Sequence, residues 1–383
     1  MKQSLCIISF SPIYRDARVL RQIKYLSAHY DLTVIGYGHP HPDWQGRPEI
    51  TWMPVDKSGG KSGAAGDFRK LIALTPSGVS VRSWPFIYDY WYWRKPHRIS
   101  ALEKAASSGC SAFHANDWEA LPVAAEAAAR NEAHLVFDAH EYAPLEFEDR
   151  WYWKWLYAPA IRYFLHKYSP VIDASTTVAP LIAQRYQREF NLNPIVVLNA
   201  PERCGAYLSS RELDPHTIRL IHHGIANRAR RLEKMIETVA ICDRRYRLHF
   251  MLMENDTQYI RYLKHLAEQR APGRVIFHQP VPPEEIVGRI AEYEIGFCLI
   301  EPSNYNYSVS LPNKFFDFIA AGLAVCIGPS PSMAEIVHKY GLGCVAETFD
   351  PPEVAKVLNQ LDLNQLMAMR QSSRKASEHF NAD

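Results

Sequence analysis

A cation stands at the predicted start of a helix in the segment SVSLPNKFFDFIAAGLAVCIG, residues 308–328. Ser310 and Pro312 are typical of a helix N-cap and first turn, and Gly322 is typical of the position just after the last turn. Lys314 therefore falls in the first turn, where the positive end of the helix dipole disfavours a cation and favours an anion. A bound phosphate would resolve this conflict.

The chemistry that this helix start suits is the binding of a nucleoside diphosphate. Free backbone N–H groups from Ser310 to Asn313, together with the Lys314 ammonium, would hold the phosphates. Asp317, three residues after Lys314, would accept hydrogen bonds from a ribose diol. The alternative is a capped surface helix on which Lys314 and Asp317 form a solvated ion pair.

A second group of cations follows Gly224, which ends a predicted strand. The loop after it carries Arg228, Arg230 and Arg231. Guanidinium groups bind phosphate oxygens through two hydrogen bonds at once, so this loop is a second candidate for phosphate binding. The alternative is three solvated arginines on a surface loop.

Polar side chains close two predicted strands of the N-terminal half. They are Asp138, His140 and Glu141 after one strand, and His114, Asn116 and Asp117 after the strand before it. A hydroxyl that attacks a substrate must pass its proton to a carboxylate, a histidine or a phosphate oxygen, so the first group is a candidate for catalysis. A histidine with a purely structural role is the alternative for His140.

We expect the second group, with Asp16 and Arg18 at the start of the first helix, to contact an acceptor substrate. Asp16 suits the N-cap of that helix equally well.

Strand and helix patterns alternate along the chain. Buried strands are predicted at residues 5–11, 32–37, 112–113, 134–137, 174–178 and 195–198, and again at 218–222, 248–253, 275–278, 295–300 and 324–327. Turn-forming residues separate the two series, which predicts domains over 1–200 and 217–362, a linker over 201–216, and a final helical segment over 363–383. The expected fold is α/β, with two doubly wound, Rossmann-like domains and a ligand cleft at the carboxyl ends of their strands.

Composition excludes several classes of protein. Of the 383 residues, 47% are apolar and 22% are charged, which fits a globular chain, and a net charge of +2 argues against a general nucleic-acid binder. The seven scattered cysteines and the absence of a signal-peptide pattern favour a cytoplasmic location. Without metal-binding motifs or a GxGxxG after either first strand, we expect no metal and no nicotinamide cofactor.

Six segments, in their order along the chain, resemble the GT-B glycosyltransferases of the GT4-like family. They are LPNKFFDFIAAGLAV, YEIGFCLI, RDARVLRQIKYLSAHYDLTVI, HANDWEALP, VFDAHEYAP and GIANRARRLEKMI. The resemblance implies that Gly224, Arg228, Arg230, Ser308, Ser310, Asn313, Lys314 and Asp317 bind a nucleotide-sugar donor. It places His140 beside the sugar's reactive carbon. In the family a glutamate precedes the ribose-binding carboxylate by eight positions, where this chain has Val309; Ser308, Ser310 and Asn306 are substitutes for it.

The resemblance also implies a function. The N-terminal domain would bind the acceptor, the C-terminal domain the nucleotide sugar, and the last helix would cross back to the N-terminal domain. A sugar would pass from a nucleoside diphosphate to a carbohydrate or lipid-linked acceptor, with retention of configuration, in polysaccharide or glycoconjugate synthesis. The alternatives are a non-catalytic sugar-nucleotide binder or partner subunit, which Val309 favours, and a nucleotide-sugar epimerase.

Two stretches, residues 84–98 and 150–168, combine aromatic and basic side chains. Such mixtures suit peripheral contact with a membrane, at its inner face, or a sugar-stacking groove. The helical spacing of Trp153, Leu156, Ile161 and Phe164 is equally typical of a buried core face.

Overall fold

The computed structural model describes residues 2–44, 46–56, 86–202 and 213–382. The chain divides into two compact units, Met1–Val197 and Leu198–Asp383. Most of the predicted linker, and Trp84 of the first aromatic stretch, lie outside the described residues. Each unit is an α/β structure, as the alternating pattern predicts.

Among the described residues of the N-terminal unit, seven parallel strands form one sheet. They are β1 (Gln3–Pro12), β2 (Tyr30–Tyr37), β3 (Ile50–Pro54), β4 (Ala112–Asn116), β5 (His134–Ala139), β6 (Ala174–Thr177) and β7 (Ile195–Val196). Its α-helices are α1 (Ala17–Leu26), α2 (Phe86–Trp93), α3 (Pro96–Ser107), α4 (Asp117–Asn131), α5 (Ala158–Tyr168) and α6 (Pro180–Phe190). A π-helical turn, Trp153–Tyr157, leads directly into α5.

The C-terminal unit repeats this architecture, with six parallel strands in the part of it that the structure describes. They are β8 (Ile218–Ile225), β9 (Tyr246–Met253), β10 (Val275–His278), β11 (Ile295–Cys298), β12 (Ala324–Ile327) and β13 (Gly343–Val345). Its α-helices are α7 (Glu233–Ile241), α8 (Thr257–Arg270), α9 (Ile286–Ile290), α10 (Tyr305–Val309), α11 (Asn313–Ala320), α12 (Pro331–Tyr340), α13 (Pro351–Asn359) and α14 (Leu363–Ala376).

Both sheets reverse their strand order beside their first strand. The orders are β3-β2-β1-β4-β5-β6-β7 and β10-β9-β8-β11-β12-β13. Open α/β sheets bind ligands outside the carboxyl ends of the strands where the order reverses. The ends of β1 and β4, and those of β8 and β11, are therefore the places where each unit is expected to hold a ligand.

Helix α11 packs directly onto the sheet of its unit. A Cβ atom added at Gly296 of β11 would stand 2.2 Å from Cγ of Phe318, so only glycine fits beneath this helix. Four of the five residues from Lys314 to Phe318 are buried. The helix that carries Lys314 is thus fixed to the strand beside the order reversal.

The last helix, α14, packs against the C-terminal unit. Leu366 is fully buried in the hydrophobic core of that unit, and Nε of Arg370 donates to the carbonyl oxygen of Gly322 at 3.4 Å. In the part of the chain that the structure describes, no helix is both long and apolar enough to cross a membrane.

Candidate functional site

Lys314 lies in the first turn of α11, as predicted, but the helix begins later than the sequence indicates. Pro312, not Ser310, occupies the N-cap, and the prediction of a Ser310 cap is wrong. The Ser310 hydroxyl instead donates to the carbonyl oxygen of Tyr307 at 3.3 Å, because a separate short helix, α10, ends beside it. The predicted end is confirmed, since Gly322 follows the last turn with φ +68°.

The Lys314 side chain is buried, with 5% of the residue exposed, and turns toward the carboxyl end of β8. Its Nζ lies 2.9 Å from Nε2 of His222. Because Nδ1 of His222 donates to the carbonyl oxygen of Phe297 at 2.8 Å, Nε2 is the acceptor and the ammonium is the donor. Because the side chain is buried, Lys314 is not the solvated surface cation of the alternative interpretation.

Lys314 and Arg230 form a pair of cations. Burial, and then the charge of Arg230, lower the pKa of Lys314 to about 7. The Nε atom of Arg230 is buried and makes no hydrogen bond. Within the described ranges, no carboxylate forms an ion pair with either residue. Two neighbouring cations with unfilled hydrogen-bonding capacity are what an anion site requires.

Gly224 allows this arrangement. Its φ of +110° lies in the region that glycine tolerates and other residues rarely adopt. A Cβ atom at this position would stand 3.5 Å from Nζ of Lys314. The backbone of β8 therefore leaves room for a ligand to approach the ammonium group.

Asp317 lies beside the same strand, with 14% of its side chain exposed. One of its oxygens, Oδ2, is 3.4 Å from Nε2 of His223, without hydrogen-bond geometry. Burial and the charge of Lys314 lower the pKa of His223 to about 3, so the imidazole is neutral and the contact is not an ion pair.

The other two arginines of the Gly224 loop already have carboxylate partners. Arg228 donates through Nε to Oδ2 of Asp256 at 2.9 Å, and Arg231 forms an ion pair with Glu301 at 3.2 Å. Both side chains are more than half exposed. Of the three arginines, Arg230 is therefore the one that the fold turns toward Lys314.

The polar residues before α11 contact their own backbone. Ser308 donates to the carbonyl oxygen of Tyr305 at 2.6 Å, within α10. Asn306 and Val309 are buried in the same short helix, while Asn313 is exposed at the start of α11. A glutamate at position 309 would therefore replace a side chain that is only 5% exposed.

In the N-terminal unit, Asp138 is the centre of a buried hydrogen-bond network. Arg18 donates to its carboxylate through Nε at 2.7 Å and through Nη2. Gln22 of α1 and Thr176 of β6 donate to it as well, each at 2.5 Å. Burial alone would raise the pKa of Asp138, but hydrogen bonds from Arg18 and His140 hold it well below the usual range.

His140 lies between two carboxylates. Its Nε2 is 3.1 Å from Oδ2 of Asp138, and its Nδ1 is 3.1 Å from Oδ2 of Asp117. Burial would lower the pKa of His140, but Asp117 and then Asp138 raise it to about 10. At neutral pH the ring is therefore an imidazolium with both N–H groups donating, so it has no lone pair with which to take a proton.

The turn from β4 to α4 brings Asp117 to the histidine. Asp117 has φ +65°, an unfavourable conformation for a residue with a side chain, and its side chain is half exposed. Asn116, just before it, is buried, and its Nδ2 has no hydrogen-bond partner. At the end of β4 this turn thus presents the Asp117 carboxylate on a backbone of unfavourable φ, and the Asn116 amide, whose Oδ1 lies 3.4 Å from Nε2 of His140 while its Nδ2 has no partner.

The remaining predicted residues of this unit have clear positions. Asp16 caps α1 by accepting from the backbone N–H of Val19 at 3.3 Å, which confirms the capping interpretation. His114 is buried within β4, and burial lowers its pKa to about 4. Glu141 is exposed after β5, and its carbonyl oxygen accepts from the Tyr186 hydroxyl at 2.9 Å.

Sequence reasoning missed the partners of these groups. Lys314 is bound by His222, and Asp138 is bound by Gln22 and Thr176. Of these three partners, only His222 could have been noticed in the sequence, because it is one of two consecutive histidines before Gly224. Glu146 was also missed. Burial, and then the negative charges of Glu141 and Asp117, raise its pKa to about 9.

Throughout the described ranges, no group of three or more His, Cys, Asp or Glu side chains is placed to hold a metal ion.

No family model matches the sequence, and no curated protein matches it. Solved structures do match along nearly the whole chain. Anabaena Alr3699/HepE in complex with UDP is 13% identical with a TM-score of 0.71, covering 100% of this chain and 96% of its own.

Two further matches have names that state an activity. Sucrose-phosphate synthase from Thermosynechococcus elongatus is 12% identical with a TM-score of 0.70, covering 99% of this chain and 95% of its own. The lipopolysaccharide outer core galactosyltransferase WaaB is 12% identical with a TM-score of 0.64, covering 99% of this chain and 96% of its own. At such low identity the likeness shows the fold alone, and the fold is that of the GT-B glycosyltransferases.

Proposed function

We propose that this protein is a glycosyltransferase that moves a sugar from a nucleoside diphosphate to a carbohydrate or lipid-linked acceptor. The observation that supports this most directly is the buried Lys314 beside Arg230, whose Nε atom is buried without a hydrogen bond; neither cation forms an ion pair with a carboxylate among the described residues. The HepE structure, which shares the fold, holds UDP. A diphosphate is the ligand that would satisfy the two cations and the N-terminus of α11 together.

In this mechanism the C-terminal unit stabilises the departing diphosphate. Lys314, Arg230 and the first N–H groups of α11 would donate to its oxygens as negative charge develops on them. Asp317 would accept from the ribose hydroxyls. A phosphate oxygen would take the acceptor's proton on the same face of the sugar, so the configuration would be retained. No metal or other cofactor is part of this proposal.

The N-terminal unit would position the sugar and the acceptor. His140, already protonated, would donate a hydrogen bond to the sugar after Asp117 yields to a ligand hydroxyl. Asp138 is saturated and buried, so we assign it the positioning of Arg18 and His140, not proton transfer. Glu141 remains the carboxylate assigned to proton handling, and its negative charge contributes to the raised pKa, about 9, of Glu146.

Two other functions stay open to the same fold. A non-catalytic sugar-nucleotide binder is favoured by the buried Val309, and an epimerase would use the same diphosphate site. Incubation with a bound donor distinguishes the three. Transfer to an acceptor supports the proposal, isomerised donor supports the epimerase, and binding without either supports the binder.

A thermal-shift panel tests the diphosphate site directly. We expect at least one of UDP, GDP, ADP and TDP to raise the melting temperature, because a ligand that binds only the folded state stabilises it by mass action. At a concentration 100 times its Kd, the expected stabilisation is about 2.7 kcal/mol. CMP serves as the control, since it lacks the second phosphate. A flat response to all four diphosphates would contradict the proposal.

Binding should also depend on pH through Lys314. In the free protein its pKa is about 7, below the ordinary value, so above pH 7 the amine is largely neutral. A diphosphate stabilises the ammonium form and raises that pKa, so binding above pH 7 takes up a proton. The Kd should therefore rise up to about tenfold per pH unit above 7, and Lys314 should add no pH dependence below it.

Calorimetry at pH 8 in two buffers with different ionisation enthalpies measures this proton uptake. The diphosphate itself is fully ionised there, because its terminal pKa is about 6. His222 and His223, which face Lys314, have lowered pKa values and stay neutral, and the pKa of Cys298 is raised. Uptake near one proton is expected for the natural protein and none for Lys314→Met. Equal values for both would assign the proton elsewhere.

A further inference from the structure

The helical segment 151–168 has two different sides. Trp153 and Leu156 are buried, and so are Ile161 and Phe164, which confirms the core interpretation for this face. The opposite side presents Trp151, with 59% of the residue exposed, and Trp155, with 69% exposed. Lys154, also exposed, lies between the two tryptophans in sequence.

Helix α2 extends the same surface. The ring of its buried Trp91 meets Tyr157 edge-on at 5.6 Å, so α2 packs beside the 151–168 segment. Phe86 and Tyr90, one helical turn apart on α2, are 61% and 51% exposed. Four large aromatic side chains are thus exposed on two adjoining helical segments, although aromatic residues are otherwise among the main formers of protein cores.

The charges beside these aromatic groups are mostly positive. Exposed or partly exposed cations flank them: Arg94, Lys95, Arg150 and Lys154. The acidic residues are Glu148 and Asp149 next to Arg150, and Asp89, which accepts from Lys167 at 2.8 Å and from the Tyr163 hydroxyl. The immediate surroundings of Trp155 and Tyr90 therefore carry a net positive charge.

We propose that this surface, made of residues 86–95 and 150–155, binds an anionic lipid bilayer. Tryptophan and tyrosine settle at the boundary between head groups and acyl chains, where their rings are partly buried and their polar edges stay hydrated. Lysine and arginine beside them attract anionic head groups. The combination fits a bilayer better than a protein partner, because cations flank the exposed aromatic groups on both helical segments. The inference goes beyond the proposed function and does not depend on it.

Flotation with vesicles tests the proposal. The 383-residue protein should float with vesicles of phosphatidylcholine and phosphatidylglycerol, and much less with phosphatidylcholine alone. Lys154→Ala should weaken binding about five-fold, the effect of one cation near such a surface. Trp151→Ser with Trp155→Ser should weaken it further. Tyr262→Ser on α8, where the residue is 47% exposed in the other unit, is the matched control and should bind normally.

Every variant changes an exposed residue, so unchanged circular dichroism and an unchanged nucleotide thermal shift are expected. Absence of flotation by the natural protein would overturn the proposal. So would normal flotation by the double tryptophan variant. A third overturning result is quenching of Trp151 and Trp155 fluorescence by soluble oligosaccharides without any vesicle binding, because these rings would then form a carbohydrate platform. None of these outcomes changes the nucleotide response, so failure here is distinguishable from failure of the glycosyltransferase proposal.

Discussion

Replacing Lys314 with methionine is expected to reduce nucleoside diphosphate affinity about 10- to 100-fold, the range for losing a charged hydrogen-bond donor. Turnover should fall about 100- to 1,000-fold, because the ammonium group is assigned to the negative charge that develops on the leaving diphosphate. Methionine has a similar length and no charge, so it separates the loss of the cation from the loss of side-chain volume. Calorimetry gives the affinity, and release of nucleoside diphosphate gives the turnover.

The melting temperature of Lys314→Met distinguishes a lost diphosphate contact from unfolding of the variant. Loss of the ammonium leaves Nε2 of His222 without its donor, which costs about 1 to 3 kcal/mol. Loss of the buried cation beside Arg230 should stabilise the folded protein, because the lowered pKa of Lys314 means that its charged form opposes folding. The melting temperature should therefore change little. Lys356→Met, an exposed lysine of the same unit, is the matched control, and unaltered affinity in Lys314→Met would remove the diphosphate site.

His140→Ala is expected to lower turnover about 100- to 1,000-fold while leaving nucleotide affinity unchanged. The reason is that the imidazolium is assigned to the sugar as it reacts, whereas the nucleotide contacts are assigned to the C-terminal unit. His140→Gln, which keeps one N–H donor without the charge, should retain more activity than the alanine variant. Steady-state rates and calorimetry measure the two quantities separately.

The control for this experiment lies on the same strand. His134 begins β5, and 78% of its side chain is exposed, so His134→Ala should be neutral. In His140→Ala, Asp138 keeps its partners Arg18, Gln22 and Thr176, and the fold should persist. Full turnover in a folded His140→Ala variant would assign His140 a structural role alone.

The strands that position these residues were largely predictable from the sequence. Apolar runs identified β10 and β12 to the residue. The reason for β12 is that a strand buried on both faces gives a continuous hydrophobic stretch, whereas β10 is a partly buried edge strand. The short edge strands β3 and β13 were not predicted. Only three to five residues long, they carry too few apolar side chains to stand out from loops.

The positions of the candidate residues in the fold were partly predictable, but their pairings were not. The position of Lys314 followed from helix signals, whereas its contact with His222 joins residues 92 positions apart. Likewise, no local rule indicates that Arg228 binds Asp256 while Arg230 lacks a partner for Nε. Such choices depend on which side chain the folded sheet brings within reach, and periodicity carries no information about that.

The absence of a side chain at Gly296 sets how the diphosphate site behaves. Because Phe318 packs directly onto the strand there, α11 lies close against the sheet, and the Lys314 ammonium is held beside β8 by its contact with His222. The conformational entropy of ordering these donors is therefore lost during folding, not during ligand capture. An incoming anion therefore meets donors that are already ordered. The free energy of binding is not spent on ordering them and is available to stabilise the transition state of the chemical step.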